Sequence, residues 1–108
     1  MIKYLTRKEE LVLLAIFRMK DEAYLVNIRE YLNTHTGKRW TVGNVYVPLD
    51  RMTKLGFLES YVGPPNTMRG GKAIKYYKLC RKGYEALLEI RKMNEVMWEG
   101  FDQLAFGE

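Results

Sequence analysis

The chain is poor in the residues that carry most metal and enzymatic chemistry. Its 108 residues include one cysteine, Cys80, and one histidine, His35. A lone cysteine closes no internal disulfide, which fits a reducing, cytoplasmic setting. No His/Cys spacing suits a metal ligand set, and no glycine-rich phosphate loop follows a strand. No metal, no cofactor and no catalytic residue is expected, and the chain reads as a non-enzyme. Cys80, at a helix start, leaves a weak redox reading through the low thiol pKa such a position confers. Long apolar runs are also missing. The longest, Leu11 to Phe17, falls well short of the ~18 residues of a membrane span. It follows Arg7, Lys8, Glu9 and Glu10 and lacks a small-residue cleavage site, so it makes a poor signal peptide. No internal repeat or low-complexity tract is present.

Acidic residues are scarce in one stretch in particular. Residues 36–82 hold ten Lys and Arg against only Asp50 and Glu59, while the rest of the chain holds eight basic and eleven acidic residues. The net charge of +5 is therefore concentrated rather than mixed, which is the footprint of a polyanion binder. The alternative is a solvated basic face without a partner. Apolar content of 47% and charged content of 29% are ordinary for one globular domain.

What the chain does have is one organising segment, Thr41 to Gly56. Thr41 is placed to cap a helix and Gly56 to end it. Val42, Val45, Leu49 and Met52 recur at helical steps and predict a buried stripe. Gly43, Asn44, Val47, Arg51 and Lys54 fall on the other face, small at its start and basic at its end. That arrangement suits a helix whose first turn approaches DNA base edges while its cations meet phosphate. Pro48 lies inside the segment, where it deletes a backbone bond. A kinked continuous helix and a break at 41–47 are both open, and the apolar steps through the proline favour the first.

Thr6 and Glu9 form a capping-box pattern before a helix to about Met19, apolar on more than one face and so buried on two sides. A second helix is predicted from Ala23 to Leu32, followed by a turn from Asn33 that includes His35, Lys38 and Arg39 and ends at Trp40, packed beside the cap. Residues 57–62 and 73–79 read as the strands of a hairpin, with the loop 63–72 between them. In the second strand, alternation puts Lys75, Tyr77 and Leu79 on one face and Ile74, Tyr76 and Lys78 on the other. A last helix is predicted from Arg81 to Phe101 or Leu104. Its Leu87, Ile90, Asn94, Met97, Phe101 and Leu104 follow a heptad seam with one polar member, the pattern of a paired-helix dimer. Leu11 and Leu14 of the first helix are expected to join that dimer interface. Packing of the seam on the chain's own core is the alternative.

Three helices, a two-stranded hairpin and a helix make the winged helix-turn-helix layout, a mostly α (α+β) class. Residues 1–80 would form the winged body and 81–108 the dimerisation helix of the same compact unit. The chain closely resembles the PadR-like transcriptional regulators. The matching stretches are Thr6-Arg7-Lys8-Glu9, Ala23-Tyr24, Ile28-Arg29, Gly43 to Met52 around Tyr46-Val47-Pro48-Leu49, Lys54-Leu55-Gly56-Phe57-Leu58, Gly70-Gly71-Lys72, Tyr76-Tyr77-x-Leu79 and Gly83, spanning about residues 5–85. The resemblance implies a dimeric winged helix that binds double-stranded operator DNA, usually as a repressor, and tolerates Pro48. Two departures stand out. Leu25 replaces a small residue, and Cys80 replaces the hydroxyl residue that usually caps the last helix.

The residues themselves suggest roles at such an interface. Asn44 can read adenine and Val47 can touch a thymine methyl. Thr41, Tyr46, Arg51 and Lys54 suit phosphates, with Lys38 and Arg39 beside them and Gly43 allowing close approach. Tyr46 has a half-core alternative, and Arg51 an alternative pairing with Asp50 or Glu59. Arg69 and Lys72, at the hairpin tip, can follow the backbone or enter the minor groove. Met93, Met97, Trp98 and Phe101 form a candidate pore for a small aromatic effector, or else plain dimer core. A protein-interaction module that keeps the fold without DNA specificity is the competing reading.

Overall fold

In the computed structural model, which describes residues 5–63 and 73–103, the chain runs through four α-helices and one antiparallel strand pair. Helix α1 spans Arg7–Met19 and starts at the expected box. Glu9 N–H donates to Thr6 Oγ1 at 3.1 Å, and Thr6 N–H donates to Glu9 Oε1 at 2.8 Å. Val12, Leu13, Ala15 and Ile16 enter the core.

Helix α2 spans Leu25–Thr36, later at both ends than its apolar spacing predicts. The late start has a tertiary cause. Ala23 and Tyr24 are extended and lie beside the second strand, where Tyr77 N–H donates to Ala23 O at 2.8 Å. The late end is local. Thr36 Oγ1 donates to Leu32 O at 2.6 Å, and the His35 ring stacks on Tyr31 at 4.0 Å. His35 thus belongs to a helix, not to a loop. Trp40 is buried, held by its backbone N–H on Asn33 Oδ1 at 2.7 Å and its indole N–H on Thr36 Oγ1 at 3.0 Å.

Helix α3, Val42–Lys54, is continuous through Pro48. The proline removes the bond to the Asn44 carbonyl, but its ring is buried with Val45, Leu49 and Met52. Val42 is not part of that stripe. It is 53% exposed, because a side chain at the first helical position covers the turn before it, away from the body. Leu55 closes the helix and Gly56 follows at φ 83°, the left-handed step that glycine takes without a Cβ penalty.

Strand β1, Leu58–Val62, pairs with β2, Lys75–Leu79, in the register Leu58–Leu79 to Val62–Lys75. The two-face alternation of β2 holds, with Tyr77 on one face and Tyr76 on the other, yet both are buried. Tyr77 packs into the core, while Tyr76 lies between the rings of Tyr24 and Tyr61, at 5.4 and 5.7 Å. Both faces of the strand are covered at that point, so period two loses its meaning as a burial signal.

Helix α4 spans Arg81–Trp98 and is shorter than predicted. Glu99 leaves helical geometry, Gly100 adopts φ 79°, and Phe101–Gln103 form a 3-10 turn. Phe101 therefore leaves the heptad seam and packs edge-on against Trp98, at 4.8 Å. The start of α4 is clamped to the body. Cys80 N–H donates to Phe57 O at 3.0 Å, and a Cβ at Gly83 would lie 2.4 Å from that same carbonyl oxygen. Only glycine lets the helix approach this closely. Leu104, Arg69 and Lys72 lie outside the described residues.

Candidate nucleic-acid interface

The outer face of α3 is presented by a supported helix. Thr41 Oγ1 accepts from Asn44 N–H at 3.1 Å, so the first turn is capped as expected. Gly43, Tyr46 and Val47 are exposed along one side, with Lys54 at the far end. Tyr46 is half exposed rather than core. A Cβ at Gly43 would meet nothing closer than Thr41 Oγ1 at 4.0 Å. The fold itself does not need glycine there, so the small start of the face is free to serve a ligand.

Two neighbouring residues of α1 hold this helix. Glu9 is buried and uses its second carboxylate oxygen to accept from the Arg51 guanidinium. Lys8 Nζ donates to Asn44 Oδ1 at 3.2 Å. Arg51 is thereby tied to α1, while its side chain stays 41% exposed. Its partner is neither Asp50 nor Glu59 but a carboxylate 42 positions earlier. Glu9 serves two elements at once, the cap of α1 and the seat of α3. Lys8 was not expected near the site; only the tertiary packing of α1 on α3 brings it there.

The dense cations of residues 36–82 divide by use. Arg81 pairs with Glu85 at 3.5 Å. Lys82 donates to the Leu55 carbonyl at 2.9 Å and lies over the Phe57 ring, which finishes the end of α3. Lys54 pairs with Asp50 at 2.9 Å, and that hydrogen bond raises its pKa above the usual lysine value. Lys38 and Arg39 are exposed just before the cap of α3. Lys75 and Lys78 are exposed on β2. Lys75 also lines a groove of about 350 Å³ with Tyr46, Tyr24 and Tyr77, so the second strand continues the face that α3 begins. Burial, and then the nearby Tyr46, raise the Tyr77 pKa.

A second, apolar surface lies on the other helix pair. Leu14, Phe17, Tyr84, Leu87, Leu88, Asn94 and Trp98 line a groove of about 520 Å³ between α1 and α4, with Glu10, Arg91 and Glu95 along it. Of the four candidate ligand residues, only Trp98 lines it. Met93, Met97 and Phe101 are exposed elsewhere, Met97 at 76%. The predicted seam is thus split: Leu87 and Asn94 line the groove, while Met97 is exposed and does not line it. Ile90 is half buried, and Leu11 packs against the core.

Cys80 caps α4 with its backbone alone; no side-chain cap bond forms. Burial, and then Glu59, push its thiol pKa up, with Lys78 opposing. That direction runs against the low-pKa redox reading. Among the described residues, no group of three or more His, Cys, Asp or Glu could hold a metal, and no helix is long and apolar enough to cross a membrane.

No known family profile and no curated protein matches the sequence. Solved structures do match. A PadR-like transcription factor from Bacteroides fragilis superposes with a TM-score of 0.73 at 25% identity, covering 92% of this chain and 93% of that one. A PadR family transcriptional regulator from Eggerthella lenta gives 0.71 at 24% identity, over 94% of this chain and 87% of that one. A PadR family transcription regulator from Clostridium difficile gives 0.64 at 24% identity, over 88% and 91%. The chain has the PadR-like winged-helix fold over nearly its whole length, as its motifs implied.

Proposed function

We propose that this chain, with its PadR-like winged-helix fold, is a cytoplasmic, non-enzymatic transcription regulator that binds double-stranded DNA in a sequence-specific manner. It acts as a homodimeric repressor on an inverted repeat. The observation that carries the reading is the outer face of α3: exposed, small at Gly43, flanked by cations and seated on the body through buried Glu9 of α1. A helix that enters a groove needs that combination, because base edges are reached by the first turn while cations meet phosphate at the sides. Gly43, Asn44 and Val47 face the bases. Thr41, Tyr46, Lys54, Lys38 and Arg39 meet the backbone, and Arg69 and Lys72 extend the contact from the hairpin. Arg51 acts through Glu9 as a positioning residue.

The homodimer reading is supported by α4 and α1. Leu14 and Phe17 on α1, and Met93, Val96, Met97 and Trp98 on α4, leave large apolar side chains in the open, the kind of surface that marks an interface. Residues 81–108 then serve as the dimerisation element of a body formed by 1–80. Two half-sites about one or two helical turns apart would follow. The test is fluorescence anisotropy with a labelled duplex taken from upstream of the protein's own gene, against a scrambled duplex, across a salt series. Tight binding to the first only, with a steep negative salt slope, is the expected result. Equal weak binding to both would leave an interaction module instead.

A second reading, an effector-sensing regulator, is favoured by the groove between α1 and α4. Trp98, Tyr84 and Phe17 give it an aromatic lining suited to a planar aromatic compound. Trp40 is buried away from it, so quenching of the exposed Trp98 fluorescence would report occupancy. No response to any planar aromatic compound would remove the effector.

A further inference from the structure

We infer that Lys8 and Asn44 act as one composite donor that reads guanine, in place of the adenine reader that an isolated asparagine would be. The inference rests on the DNA-binding reading above. Lys8 lies in the first turn of α1 and Asn44 in the first turn of α3, with Nζ and Oδ1 3.2 Å apart. An ammonium has three N–H donors and no acceptor, so the amide atom it meets must be the oxygen. Chemistry thus fixes which way the amide points.

An asparagine that reads adenine uses both of its ends. Oδ1 accepts from the N6 amino group while Nδ2 donates to N7. Here Oδ1 is engaged by a cation. Its second lone pair remains, but a base amino group approaching it would meet the positive charge of Lys8. What the pair offers outward is the Nδ2 amide hydrogens and the remaining N–H groups of Lys8, all donors. Guanine shows two acceptors, N7 and O6, on its major-groove edge, whereas adenine shows one acceptor and one donor. The neighbouring acidic groups do not supply the missing acceptor. Glu9 is buried against Thr6 and Arg51, Glu10 is held by Arg7 at 3.2 Å, and Asp50 is held by Lys54. Thr41 Oγ1 is occupied in capping Asn44 N–H.

The experiment is selection of bound duplexes from a random library with the full chain, comparing wild type, Lys8→Met and Asn44→Ala. Methionine keeps the length of the lysine stem and removes the charge. Because Lys8 is exposed, its thermal unfolding should match wild type, and circular dichroism checks this. The expected result is a guanine in each half-site that Asn44→Ala leaves undefined. In Lys8→Met the same position turns to adenine, a shift in the guanine-to-adenine ratio on the order of tenfold. Adenine at that position in wild type, or a guanine preference unmoved in Lys8→Met, overturns the inference alone. A wild-type chain that enriches no sequence overturns the DNA-binding reading and this inference with it.

Discussion

Helices α3 and α4 both leave apolar side chains in the open, and they do so in opposite circumstances. In α3, exposed Val42, Tyr46 and Val47 back onto buried Val45, Pro48, Leu49 and Met52. The helix is seated on one side and bare on the other. In α4, Gly83 and Ala86 are buried, but no residue from Leu88 to Trp98 is. Met93, Val96, Met97 and Trp98 stand exposed around more than one side. A helix apolar on a supported outer face is a probe. On the proposed function, a helix that leaves apolar side chains unsupported within its own chain is half of a dimer interface. Exposed area alone does not separate the two; what lies behind the exposed residue does.

The contrast breaks most easily in the core. Leu49→Ala removes a fully buried side chain behind the probe face and should lower stability by about 2–5 kcal/mol. Met97→Ala should change the stability of dilute, monomeric protein by less than about 0.5 kcal/mol and act instead on association. Urea unfolding at nanomolar concentration, beside sedimentation at micromolar concentration, measures both. Equal losses in the unfolding experiment would mean that α4 is supported within the monomer. Next in size is the hinge between the two regions. Gly83→Ala drives a Cβ to 2.4 Å from a backbone carbonyl that cannot rotate away, at a cost of about 1–3 kcal/mol. Unchanged unfolding in that variant would show that α4 can lift off the body freely.

The parts legible in the sequence were those decided within four residues of themselves. Thr6 with Glu9, Thr41 with the first turn of α3, and Gly56 as a stop all follow from local bonds, and each is found. Gly100 carried the same kind of signal, and the heptad steps through Phe101 concealed it. The rest depended on contacts across the fold. Nothing local says that Ala23 and Tyr24 will lie along β2 and delay α2, or that Glu9 will take a second partner 42 positions away. Nor does charge density say which cations are spent. Arg51 was counted with the DNA-facing residues and Lys82 with the basic segment, yet the fold uses both. At the candidate site, the helix and its polarity were readable, whereas Lys8 and Lys75 came to it only through packing.

Smaller effects sharpen the junction. Cys80→Ser would supply α4 with the side-chain cap it lacks and should add about 0.5–1 kcal/mol. In the parent chain the raised thiol pKa means that the thiolate forms late. Alkylation should show a midpoint above the usual ~8.5 of a free thiol. The linkage has a definite sign. Folding favours the neutral thiol, so the fold loses stability as pH rises past the unfolded thiol value, and Cys80→Ser should flatten that loss. A midpoint below the free-thiol value would restore the redox reading.

The smallest change in stability tests the probe face most directly. Gly43 has ordinary helical geometry and open space where a Cβ would go, so Gly43→Ala removes only the entropic cost of glycine in a helix. It should stabilise the chain by up to about 0.5–1 kcal/mol. If the first turn of α3 approaches a duplex closely, the same methyl obstructs it and weakens binding while the protein becomes harder to unfold. Opposite signs from thermal unfolding and anisotropy cannot arise from damage to the fold, because damage would move both downward. Improved or unchanged duplex binding in Gly43→Ala would mean that some other surface meets the DNA, and the distinction between the faces of α3 and α4 would lose its functional meaning.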